Sequence, residues 1–225
     1  MGKVAIIFDC EFLTAPGAPQ RFWCGPFDPD PVVAQIGAVK LTADKDAEIL
    51  DSFEQVVVPK GRDGSFLTVD PLFENLTGIT QTRIARHGQP LRAALDAFDA
   101  FSDGAPIWSW GKDEFNMLAI SCYVAVIAPP FPAVRFGNAT RLLVRAGIPE
   151  AEVITLRSNT LTDYFNLPRP ERPGHDALGD AQSVAAVLQH LIRSRKLDLV
   201  ALTMPSLPLT PPPTMEEPVV RMPQA

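Results

Sequence analysis

The chain has 225 residues, 46% of them apolar and 20% charged, and a formal charge of −6 at pH 7, a composition that fits one globular domain and excludes disordered, collagen-like and coiled-coil chains. No apolar run nears the roughly 20 residues that cross a bilayer, and Val4 to Phe8 is too short for a signal-peptide core. With Cys10, Cys24 and Cys122 too few and too scattered for a disulfide framework or a zinc-ligand pair, a soluble, cytoplasmic protein without membrane contact is expected, and its acidity argues against a broad basic platform for nucleic acid.

The opening Val4-Ala-Ile-Ile-Phe8 reads as a strand buried on both faces, as at the centre of an α/β sheet. Asp9 and Glu11 interrupt it near its end. Thr14 to Pro31 is a long loop rich in Pro, Gly and Asp that carries Phe22 and Trp23; loops of this length are often functional. Val32–Leu41 and Ile49–Val58, separated by a polar turn, read as a hairpin added to the first strand. Around Asn75–Thr80 the pattern becomes helical in short pieces, and Leu91, Ala94, Leu95, Phe98 and Phe101 mark one helical face that Asp103-Gly104 ends. Pro106–Trp110 is a short strand, followed by a helix over Asp113–Ile127 that Pro129-Pro130 must stop. A strand at 134–136, a helix at 138–146, a short helix at 158–165 and a long one at 180–194 complete one domain, to about residue 202. Residues 203–225 are a Pro-rich appendage, expected to be extended.

Asp9 and Glu11 are two residues apart in a strand, so both point to one face, only ~7 Å apart along the backbone. Like charges so close repel and raise each other's pKa unless a cation lies between them. For ligands that offer only oxygen the natural cations are Mg²⁺ and Mn²⁺. A strand that stopped at Phe8 would instead leave both acids in solvent.

Asp113 follows the Trp108-Ser-Trp110-Gly111 strand end, in the kind of crevice where α/β sheets bind ligands. An ordinary first-turn helix acid would look the same, and Glu114 is its rival. Asp180 shares a helical face with Val184, Val187 and Leu191. A lone carboxylate on such a stripe is costly and needs a metal, a base or a capping role. His175 lies five residues earlier, able to reach the site from a Pro- and Arg-rich loop, whereas His87 and His190 read as ordinary surface or core histidines. Phe12, Phe22, Trp23 and Trp110 are candidates to stack on nucleic-acid bases, although core packing explains at least one of the tryptophans.

In chain order, Phe8-Asp9-Cys-Glu11, Trp110-Gly-Lys-Asp113 and His175-Asp-Ala-Leu-Gly-Asp180 resemble the DEDDh branch of the DnaQ-like 3'-5' exonucleases. Gln35-Ile-Gly37 and Leu76-Thr-Gly-Ile-Thr80 extend the resemblance, which covers residues 3 to 195. It implies an RNase H-like α/β fold with a mixed five-stranded sheet flanked by helices. It implies further that Asp9, Glu11, Asp113 and Asp180 hold two divalent ions, Mg²⁺ or Mn²⁺, with His175 as general base. Phe12, Leu13, Thr77, Ile79 and Trp110 fall where the resemblance puts the 3'-terminal nucleotide. A Tyr four residues before Asp180 would mark the sister branch, and residue 176 is Asp. Phe12-Leu13, Asn138 and the long loop depart from the common pattern and bear on substrate choice.

The expected activity is hydrolysis of single-stranded RNA or DNA from its 3' end to nucleoside 5'-monophosphates, RNA slightly favoured. The Trp-Ser-Trp-Gly lead into Asp113 resembles the short exoribonuclease branch. The contrasting expectation is a catalytically silent binding module on the same fold. A homodimer formed through the Pro-rich tail is a further expectation.

Overall fold

The computed structural model describes residues 3–205. The Pro-rich tail from residue 206 onward, and with it the expected tail-mediated homodimer, lies outside them.

Five strands, β1 (Val4–Phe12), β2 (Val33–Thr42), β3 (Ile49–Val56), β4 (Ile107–Ser109) and β5 (Phe136–Asn138), form one sheet in the order β3-β2-β1-β4-β5. β1–β2 and β2–β3 pair antiparallel, while β1–β4 and β4–β5 pair parallel. This is the mixed five-stranded sheet with flanking helices that the resemblance implies.

β1 is buried along most of its length, and its alternation decides where the acids point. Ile6, Phe8 and Cys10 pack into the cluster with Ala94, Leu95 and Phe98 of α3 (Leu91–Ser102) and Met117 and Leu118 of α4 (Asp113–Val124). Ala5 and Ile7 pack on the other face, against Val184 and Leu188 of α8 (Ala177–Arg193). Asp9 and Glu11 continue the Ala5–Ile7 row, so strand parity alone turns both toward α8.

α8 starts at Ala177, three residues earlier than its apolar stripe suggests, because Asp176 caps it, accepting a hydrogen bond from Gly179 N–H. Asp180 therefore falls in the first turn. The strand expected at 134–136 is instead a tight 3₁₀ turn at Ala133–Arg135, with β5 beginning at Phe136. The Arg135 guanidinium donates to Ala105 C=O, Asp99 and Ser102, which pins that turn beside α3. α4 ends at Val124 rather than 127, as Val126 takes a left-handed conformation and Ile127 N–H donates to Cys122 C=O. The long loop after β1 contains a 3₁₀ turn at Pro19–Arg21 and is tied down by the Trp23 indole N–H donating to Leu13 C=O.

Gly37 on β2 carries the start of α8. A Cβ there would lie 2.1 Å from Leu178 N and 2.3 Å from Ala177 C, so only glycine lets the helix backbone rest on the strand. Replacing Gly37 with Ala should therefore destabilise the fold by about 1–3 kcal/mol, the usual cost of overpacking, read as a lower urea midpoint at unchanged m-value.

Candidate metal centre

The carboxyl end of β1 brings four acids together from three elements. Asp9 is 7% exposed, Glu114 8% and Asp180 5%, with Glu11 partly buried beside them. Glu114 lies close enough to Asp9 for its charge to raise the Asp9 carboxyl. Glu114 Oε2 is buried without a hydrogen-bond partner. One donor atom each from Glu11, His175 and Asp180 lies within 4.8 Å of the other two. Among the described residues, no Lys or Arg forms an ion pair with any of these four acids.

Electrostatics follow from that crowding. Burial, then Glu114, Glu11 and Asp180, push Asp9 well above the usual carboxylate range. Burial first and then Asp180, Asp176 and Glu114 push Glu11 up to about 8. Burial holds Glu114 at about 7, with Asp113 adding to it and Glu114's own backbone N–H working against it. Burial raises Asp180 to about 7 even though the Ser158 hydroxyl and the His175 backbone N–H favour its charge. Asp176 goes the other way: burial would raise it, but Arg172, the Gly179 N–H and Gln35 hold it below the usual range.

The sequence-predicted residues do not all converge. Asp9, Glu11 and Asp180 do, and His175 stands exposed at the rim in a left-handed conformation, φ 62°. Asp113 does not: it is exposed on the outer side of α4, and its neighbour Glu114 turns inward. Helical spacing carries the signal for this, since Glu114 shares a face with the buried Met117, Leu118 and Ser121, the same kind of stripe that singles out Asp180.

Phe12 is half-buried with its ring edge-on to Trp23, 5.5 Å between centroids. Trp110 is half-buried against the α8 side of the core, and Trp108 is wholly core, its indole N–H donating to Leu202 C=O. Leu13 and Ile79 are buried together with Phe73 in one cluster. The Thr77 hydroxyl, at the end of α1 (Pro71–Thr77), donates to Phe73 C=O and accepts from Ile79 N–H. In that turn it is Leu76 that reaches the surface. Asn138 stands at the end of β5 as a structural acceptor for Gly111 N–H and for Thr140.

The donor set fits hard divalent cations: clustered carboxylate oxygens, one of them orphaned, with no Lys or Arg among the described residues paired to them.

No family model matches the chain, and no curated protein matches it. Solved structures do. The nuclease domain of 3'hExo, a DEDDh family member, bound to rAMP, superposes with a TM-score of 0.68 at 18% identity, covering 87% of this chain and 95% of that one. The structure of a 3'-exonuclease in 3'-end-specific recognition of histone mRNA stem-loop gives 0.67 at 18% identity, covering 87% and 66%. The zinc-bound complex of E. coli exonuclease I with single-stranded DNA gives 0.59 at 18% identity, covering 87% of this chain and 41% of that one. The fold is that of the RNase H-like exonucleases. This chain spans less than half of the exonuclease I chain and nearly all of the 3'hExo nuclease domain. Among the described residues no helix is long and apolar enough to cross a membrane.

The raised carboxyl groups make a signed prediction for the metal-free protein. An acid whose pKa is higher folded than unfolded keeps its proton in the native state while the unfolded chain releases it. Stability is then greatest below the ordinary values of 3.8 and 4.5 and is lost as pH rises toward the folded values of about 7 to 8. Thermal melts in EDTA should give a Tm that falls between pH 5 and pH 8, and added Mn²⁺ should raise Tm more at pH 8 than at pH 5.

Proposed function

We propose that this chain is a divalent-metal-dependent 3'-5' exonuclease that removes nucleoside 5'-monophosphates from single-stranded ends, RNA ahead of DNA. The observation that carries this reading is the convergence of Asp9, Glu11, Glu114 and Asp180 on one pocket with His175 at its mouth. The preference for RNA is supported by the fuller match to 3'hExo than to exonuclease I. The sulfhydryls of Cys10, Cys24 and Cys122 are free, which supports a reducing, cytoplasmic setting.

Asp9, Glu11, Glu114 and Asp180 would hold two ions, Mg²⁺ or Mn²⁺, with Glu114 taking the place expected of Asp113. Such a pair neutralises charge on both the attacking and the leaving oxygen of an in-line displacement at phosphorus. His175 takes the proton of the attacking water as general base, and its exposed rim position leaves the imidazole open to solvent. Phe12 and Trp110, both half-buried, offer faces for the terminal base. Leu13 and Ile79 lie buried in the cluster around Phe73, Thr77 bonds within the same turn, and Leu76 presents the turn's outer surface.

End-labelled RNA and DNA oligonucleotides incubated with Mn²⁺ should shorten from the 3' end to mononucleotides, and EDTA should stop the reaction; uncut strands under Mg²⁺ and Mn²⁺ alike would rule the reading out. Glu114→Gln should lower turnover by at least about 100-fold, beyond the ~10–100-fold typical of an outer partner, while Asp113→Asn should cost less than about 10-fold. The reverse ranking would return the site to Asp113. His175→Ala should slow turnover by ~10²–10⁴-fold while calorimetry still detects Mn²⁺ binding.

A further inference from the structure

His175 is held by a network that the chemistry above does not use. Arg172, three residues before it, donates from one guanidinium nitrogen to Glu54 Oε2 on β3 at 2.7 Å and from the other to Asp176 Oδ1 at 2.8 Å. Glu54 Oε1 accepts in turn from Arg83 of α2 (Gln81–His87) at 2.7 Å and from Gln35 Nε2 at 3.0 Å. Gln35 Nε2 also reaches Asp176 Oδ2 at 3.2 Å, and Gln35 Oε1 accepts from Ala177 N–H at 3.1 Å. Gln35 sits directly across the β1–β2 ladder from Glu11. The network thus joins the strand position beside one site acid to the residues on both sides of His175.

A histidine at φ 62° occupies the left-handed region that non-glycine residues avoid, and His175, being exposed, has little packing to hold it there. Asp176 is fixed twice over, by Arg172 and by capping Gly179 N–H. With Arg172 anchored to β3 on one side and Asp176 anchored to Gln35 on the other, the intervening Pro173-Gly174-His175 spans two fixed points. Only one of those anchors, Glu54–Arg172, joins the loop to the sheet by an ion pair.

We propose that Glu54 and Arg172, with Gln35, are positioning residues that clasp the 172–176 loop to the sheet and hold the His175 imidazole over Glu11 and Asp180. The proposal rests on the exonuclease reading for its catalytic consequence and on geometry alone for the clasp. Arg172 is bonded to Glu54 and Asp176, neither of them an acid of the centre, so its effect on turnover is expected to run through the loop that carries His175.

Arg172→Ala should lower kcat by about 10–100-fold with KM changed less than 2-fold, within the range for an outer partner that orients a site residue. Arg172→Lys, which keeps the charge but not the bidentate fork, should recover part of the loss. The combination of Arg172→Ala with His175→Ala should be no slower than His175→Ala alone, because both changes remove one function. An additive double variant, or an Arg172→Ala enzyme of unchanged kcat, overturns the proposal. Hydrogen exchange of backbone amides at residues 174–176, measured without substrate, should quicken at least several-fold in Arg172→Ala and in Glu54→Gln while the β1 amides stay protected. Unchanged exchange there overturns the clasp. A wild type that degrades no strand would strike the exonuclease reading and leave the exchange result standing on its own.

Discussion

Mutual repulsion among Asp9, Glu11, Glu114 and Asp180 is the constraint around which the rest of the chain is arranged, because the acids sit on β1, α4 and α8 and none can turn into solvent without unpacking its element. In water two unit charges at 4 Å interact by only about 1 kcal/mol, and the figure climbs as the effective dielectric falls. Burial is the first cause of every raised carboxyl in the site, and a neighbouring negative charge adds to it in all four. A site built this way is at odds with its own fold unless it shares protons or captures cations. The same crowding that costs stability would favour capture of hard divalent ions, so on the proposed reading the destabilising feature and the functional feature are one.

The scaffold withstands that strain by locking the one element that closes the pocket. α8 carries Asp180 and lies across β1 and β2, and its first turn touches the Gly37 backbone too closely for any side chain. Gln35 reads the Ala177 N–H and Asp176 supplies the cap, so the helix start is specified by three separate contacts rather than by its apolar face alone. An apolar stripe fixes which way a helix faces and not how far it slides. The polar contacts of Gln35 and Asp176 supply the missing coordinate, and they place Asp180 opposite Glu11.

Much of this was legible in the chain itself. The five strands, their hairpin and the α8 stripe follow from period and punctuation, and Asp9, Glu11 and Asp180 stand out because acids at those positions contradict the apolar pattern around them. What was not legible has local causes. Asp113 and Glu114 are adjacent first-turn acids, and position after the strand end favours neither; only the 3.6-residue geometry of the buried Met117, Leu118 and Ser121 separates the one that turns inward. The start of α8 was hidden because Asp176 does not belong to the apolar stripe yet caps the helix. Val134 and Phe136, apolar at alternate positions, read as a strand, while the contact that makes Ala133–Arg135 a turn, Arg135 to α3, is long-range. Leu13 and Ile79 fall where the resemblance puts the 3'-terminal nucleotide, and in three dimensions both are buried.

On the proposed reading, a chain of net charge −6 would have to address a polyanion, and the placement of its arginines bears on how. Arg169 is engaged with Asp163, and Arg172 with Glu54 and Asp176, so these two arginines of the His175 loop are spent within the protein rather than offered to phosphate. Arg157 donates to the neighbouring Leu156 C=O. On the exonuclease reading proposed above, attraction for a nucleic-acid end would rest largely on ions held by the acids, concentrated at the point of cleavage. A protein that neutralises many phosphates releases many counterions and binds with steep salt dependence. One that concentrates its positive charge at a single scissile group grips the terminus and little else, which suits an enzyme that must release a strand shortened by one nucleotide and engage the new end.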